Sequence, residues 1–147
     1  MHQWLEIDNP VERRKQISTE LDAFVAALDN SWQARFSGGL KKALVDKLIE
    51  TPALELLQTL QYDQFSLENE KWDERRALLS QLQMDADLDR KMCENDSRVV
   101  DSLDKMVEHQ QSQLQAIGMP GFRITQNKRE VELQMQILKF AYGTAEY

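Results

Sequence analysis

Asp85, Asp87 and Asp89 recur at every second position, the spacing with which a calcium-binding loop begins. Such a loop needs glycine at its sixth position and a bidentate glutamate at its twelfth. This chain has Arg90 and Asp96 there. On a helix the three aspartates would also spread around the axis, so they read as a solvated acidic turn or helix start. Zinc needs clustered histidine or cysteine ligands. The chain offers His2 at its N-terminus, His109 beside Glu108, and the single Cys93. Glu94 adjoins Cys93 and disfavours its thiolate, so an activated nucleophile is not indicated. Neither a phosphate-cradling glycine loop nor a Gly-x-Ser-x-Gly elbow occurs. The expectation is a protein that is not an enzyme and takes no cofactor and no metal.

Net charge is −7 over 147 residues, and it is unevenly placed. Residues 53–117 hold 14 acidic and 7 basic side chains, and the segments on either side are close to neutral. That acidic middle repels phosphate and anionic headgroups, so nucleic acid and membrane are poor partners. Arg13-Arg14-Lys15 and the set Arg123, Lys128, Arg129 and Lys139 are local basic spots. The first is expected to stay solvated beside nearby carboxylates. One cysteine permits no internal disulfide, which fits a reducing compartment. The first residues lack the features of a secretory signal, and the longest apolar run is Phe24 to Leu28. A soluble cytoplasmic protein is expected.

The same 53–117 stretch contains no glycine and no proline. Those residues end helices most cheaply, so their absence predicts long helices. Elsewhere they act as punctuation, at Pro10, Gly38-Gly39, Pro52, Gly118 to Gly121 and Gly143. Asn9 is placed to cap a helix with Pro10 in its first turn. The stripe from Ile17 through Leu21, Phe24, Val25, Leu28 and Trp32 to Phe36 predicts one helix ended by Gly38-Gly39. A shorter helix covers about Leu40 to Glu50. Thr51 and Pro52 restart the chain as cap and first position, and Leu54, Leu56, Leu57 and Leu60 make the next helix central.

Ser66 is the next candidate cap. Phe65, Trp72, Leu79 and Leu82 step by seven, seven and three, a coiled-coil-like seam. A second stripe runs from Leu88 and Met92 through Val99, Leu103, Met106, Gln110 and Leu114 to Ile117. One helix over 66–117 would be about 78 Å long at 1.5 Å per residue. A break is expected instead, at Asn95-Asp96-Ser97, three poor helix formers. Asn127 and Glu130 suit a cap and its partner. Residues 131–142 carry both an alternating and a helical pattern, and the helix is preferred because Glu, Leu, Gln, Met and Lys favour it.

The predicted fold is therefore all-α: an elongated antiparallel bundle of five to six helices, with one long helical hairpin, in a single domain over 1–147. Residues 118–126 are a candidate hinge before the last helix. In composition the chain is similar to small acidic bacterial secretion and flagellar-export chaperones, with no motif carrying the likeness. The leading functional expectation is a protein-binding module: an adaptor, chaperone or regulatory subunit. Met119, Phe122, Met135, Leu138 and Tyr142 are its expected contacts, since pliable methionines and aromatics suit helix-binding surfaces. Asp101, Asp104 and Glu108 are the expected steering charges. The alternatives are a self-associating assembly subunit and a nucleic-acid-related regulator, including an acidic mimic of nucleic acid.

Overall fold

The computed structural model describes residues 3–143. His2 lies outside them. A short 3-10 turn, Gln3–Glu6, precedes six α-helices: α1 Pro10–Ala26, α2 Asn30–Arg35, α3 Gly38–Leu48, α4 Thr51–Gln81, α5 Leu88–Ala116 and α6 Lys128–Ala141. The all-α prediction holds, as does the single dominant hairpin, which is α4 against α5. Gln64–Gln110 and Arg75–Asp96 bridge it, an ordering that requires the two helices to run antiparallel. The 31 and 29 residues of α4 and α5 make rods of roughly 45 Å each.

One core joins Ile17, Leu21 and Val25 of α1, Leu44 and Leu48 of α3, and Leu54, Leu57 and Leu60 of α4. Leu114 of α5 and Ile137 and Phe140 of α6 complete it. Phe140 sits with its ring centroid 5.3 Å from Trp4 and 5.4 Å from Phe24, which pins α6 to the N-terminal layer.

Several predicted boundaries move. The first helix does not run through to Phe36. It ends at Ala26 and α2 begins at Asn30, because Asp29-Asn30-Ser31 favours caps over helix interior. Gln33 donates to the freed carbonyls of Ala26 and Leu28 and so stabilises the break. Gly38-Gly39 does not end a helix but opens α3. Ser37 is the cap, its Oγ accepting from the Leu40 amide at 3.1 Å. Glu50, not Thr51, is the N-cap of α4. Ser66 starts nothing, since α4 passes straight through it.

Asn95-Asp96-Ser97 is helical, and the break lies at 82–87. There the Asp85 carboxylate accepts from the Asp87 amide at 2.7 Å, a local turn that competes with helix. Asp96 meanwhile pairs with Arg75 at 3.0 Å, which holds the Asn95 region in α5. Arg13, expected to be solvated, is buried. Its guanidinium donates to the carbonyls of Ile7 and Ile49 and to Thr51 Oγ1, closing the α3–α4 corner. Of the seam Phe65, Trp72, Leu79 and Leu82, the first three are exposed and Leu82 is half-buried, so it is not the buried interface of the hairpin.

Candidate functional site

Leu114 ends the buried part of α5, and the chain turns there through a Schellman motif. Gly118 sits at φ +79°, its amide donating to Gln115 O at 3.0 Å, while the Met119 amide reaches Leu114 O at 2.9 Å. A left-handed residue at this point is most cheaply glycine. The turn drives Met119 into the core and delivers Phe122 beneath α6.

Four glutamine side chains then tie the pieces together. Gln110 donates to Gln64 at 2.9 Å, bridging α5 and α4. Gln111, buried, donates to Gln134 Oε1 at 2.8 Å and to Thr125 O at 3.1 Å, and accepts from the Thr125 amide. Gln134 donates onward to the carbonyls of Gly121 and Arg123. The connecting segment's backbone is thus satisfied by amide side chains, where a strand or helix would have used main-chain partners. The region expected to act as a hinge is clasped on both sides.

Asn127 caps α6, accepting from the amides of Arg129 and Glu130 at 3.1 and 3.2 Å. Glu130 does not turn back to close a capping box. It takes Arg123 at 2.5 Å and Thr125 Oγ1 at 2.6 Å. The Arg123 guanidinium, and after it the Thr125 hydroxyl, hold the Glu130 carboxyl below its ordinary pKa.

These contacts leave a groove of about 310 Å³ between α5, α6 and the middle of α4. Phe122, Met135, Leu138 and Tyr142 line it, with Met106, Val107 and Val131 continuing the apolar wall. Gln64, Gln110, Gln111, Gln134 and Lys139 supply its polar part. Four of the five apolar residues singled out from sequence therefore come together. Met119 does not join them, being packed in the core. Asp101, Asp104 and Glu108 are exposed on α5 and do not line the groove. Asp104 is one turn before Val107, so it flanks the same side. The glutamines were not legible as site residues. The uncharged run Gln110-Gln111-Ser112-Gln113 on a charged helix is the signal available for Gln110 and Gln111, and nothing comparable marks Gln64 or Gln134.

A profile of the family described as DiGeorge syndrome critical region 6 (DGCR6) protein matches residues 77–143. The chain is similar to these proteins. Protein DGCR6 of Gallus gallus is 28% identical in an alignment covering 91% of this chain and 84% of that protein. Gonadal protein gdl of Drosophila melanogaster is 43% identical over 51 residues, 35% of this chain, and the match spans 26% of the gonadal protein. No solved structure matches. Apart from Gln64, every residue lining the groove falls inside the segment that matches the family profile. Among the described residues, no helix is long and apolar enough to cross a membrane.

Proposed function

We propose that this chain is a non-enzymatic protein-binding module, an adaptor, chaperone or regulatory subunit, that seats an amphipathic helix of another protein in the α5–α6 groove. The groove itself carries the reading. It is apolar-walled, its glutamines are already bonded to one another in pairs, and apart from Gln64 it lies in the segment shared with the DGCR6 profile. A surface of this kind favours burial of side chains over reaction with them. Helix-in-groove recognition uses a few apolar anchors at i, i+3 or i+4 and i+7. Each anchor fully buried is worth about 1.5–3 kcal/mol. Met135 is 64% exposed at the lip and its thioether adapts to differently shaped anchors.

Asp101, Asp104 and Glu108 give the charge preference. They favour a partner helix with basic flanks and accelerate its approach, an effect that salt screens. The reading places the protein in the cytoplasm, in keeping with the exposed free thiol of Cys93.

The test is affinity capture from the native host at low salt with wild type and Met135→Glu, followed by identification and direct binding of the captured protein. A protein retained by wild type, weakened by the variant and released by salt supports the reading. Recovery of no protein at low salt, or equal retention by both baits, overturns it.

A further inference from the structure

Arg14 pairs with Asp46 at 2.5 Å and Lys41 with Asp22 at 3.4 Å, an order that requires α1 and α3 to run antiparallel. Ser18 lies one turn after Arg14 and one turn before Asp22, so the two bridges bracket it. A cleft of about 290 Å³ opens there, with Arg14, Ser18 and Asp22 on the α1 wall and Gly38, Lys41 and Lys42 on the α3 wall. Ser18 is half-buried in it. Among the described residues its hydroxyl makes no hydrogen bond, whereas Thr19, Thr59 and Ser102 each bond back to the carbonyl one turn earlier. Lys15, one turn before Ser18, and Lys42, across the cleft, are exposed and make no ion pair among the described residues. Arg14, Lys15, Lys41 and Lys42 thus stand around one free hydroxyl, and Asp22 and Asp46 answer only two of them. The deficit matches a phosphate monoester, which carries about −1.5 to −2 at neutral pH.

We propose that Ser18 is a phosphorylation site and that its phosphate clamps α1 to α3. In the transfer the Ser18 oxygen attacks the terminal phosphorus of a nucleoside triphosphate held by a kinase. The hydroxyl proton passes to the kinase's base and the nucleoside diphosphate departs. Arg14 and Lys15, four and three residues upstream, supply the basic pattern that an acidic kinase cleft reads. Local opening of α1 admits the enzyme. On closing, the new dianion gains charge-assisted hydrogen bonds from the cations of both helices. Arg14 and Lys15 of α1 and Lys41 and Lys42 of α3 favour the dianion and outnumber Asp22 and Asp46, which oppose it. Its second pKa is therefore lowered in the folded chain. The added stability is present above the unfolded value of about 6 and is lost as pH falls through the lowered one. The cleft shares no residue with the α5–α6 groove, so the clamp does not depend on what binds there.

Two measurements on the intact chain test the proposal. Tandem mass spectrometry of the chain isolated from its native host, with phosphatases inhibited, should place phosphate on Ser18. Phosphoserine installed in place of Ser18 during synthesis should raise the urea midpoint at about pH 8 and much less at about pH 5. Phosphorus NMR should put its second pKa below the ~6 of free phosphoserine. Phosphoserine in place of Ser66, which has Asp63 and Glu70 one turn away, should titrate at or above that value. Lys15→Gln combined with Lys42→Gln should move the modified Ser18 back toward the free value and leave the unmodified chain's midpoint little changed. Host protein without phosphate on Ser18, a titration matching that at Ser66, or indifference to the two lysine changes would each overturn it.

Discussion

Gln111 donates a hydrogen bond to Gln134 at 2.8 Å, and both side chains are buried where α5 meets α6. Each spends its remaining capacity on the 118–126 connection, so this one contact organises the turn, the α6 packing angle and the floor of the groove.

Gln111→Ala should therefore cost more than one hydrogen bond. It leaves Gln134 Oε1 and the Thr125 backbone without their partner in a dry site, a penalty of about 1–3 kcal/mol for a stranded polar group. Urea unfolding should show a lower midpoint with an unchanged slope. Amide exchange should quicken across 121–126 before it quickens in α1. In the wild type, protection through α6 should match that of residues 17–36, because the segment is tied down.

The Glu130 cluster gives a pH prediction with a definite sign. Its carboxyl lies below the ordinary value of 4.5 because Arg123 and Thr125 hydrogen-bond the charged form. A depressed carboxyl contributes stability that is fully present above that ordinary value and is lost as pH falls through the lowered one. Asp96, held down by Arg75, and Asp85, held down by Lys91, act in the same direction. Stability should fall on acidification below pH 4.5. Glu130→Gln should shallow that acid limb and leave neutral pH behaviour little changed. An acid limb identical in wild type and variant would contradict the assignment.

Helix content and the central role of Leu54, Leu57 and Leu60 were legible because breaker residues and apolar periodicity are local signals. The positions of the breaks were not. Asn95-Asp96-Ser97 has the composition of a turn, but the Arg75–Asp96 pair, 21 residues apart in sequence, keeps it helical. The 82–87 turn has no glycine or proline and is made by the Asp85 side chain. The groove was half legible. Phe122, Met135, Leu138 and Tyr142 share an apolar character that sequence reports, whereas Met119 has the same character and goes to the core through the Gly118 turn. Gln111 and Gln134 matter by partnership, and partners across a loop leave no periodic trace.

The hairpin should be energetically two-part. Leu57 is fully packed in the core, so Leu57→Ala should cost about 2–5 kcal/mol. Leu78 is only partly covered on the distal arm, and Leu78→Ala should cost clearly less. Native-state amide exchange should show residues 64–104 opening at lower free energy than residues 53–60, since the distal arm has a single buried residue, Met92, among those described. Uniform protection along α4 would contradict the division.

Two glycines should respond to alanine with opposite signs. Gly121 has φ +82°, and a Cβ there would sit 3.1 Å from Ile137 Cδ1, a buried group with little room to retreat. Its carbonyl also accepts from Gln134. Gly121→Ala should destabilise by about 1–3 kcal/mol, the usual cost of a side chain in a left-handed conformation. Gly39 lies in the first turn of α3, and a Cβ there meets nothing closer than Ser37 Oγ at 3.9 Å. Alanine is the better helix former and restricts the unfolded chain, so Gly39→Ala should stabilise by about 0.4–1 kcal/mol. Denaturant midpoints of the two variants measured side by side check both signs. Because Gly121 sits under the groove floor and Gly39 does not, Gly121→Ala should also weaken any ligand of the groove, and Gly39→Ala should leave its affinity unchanged.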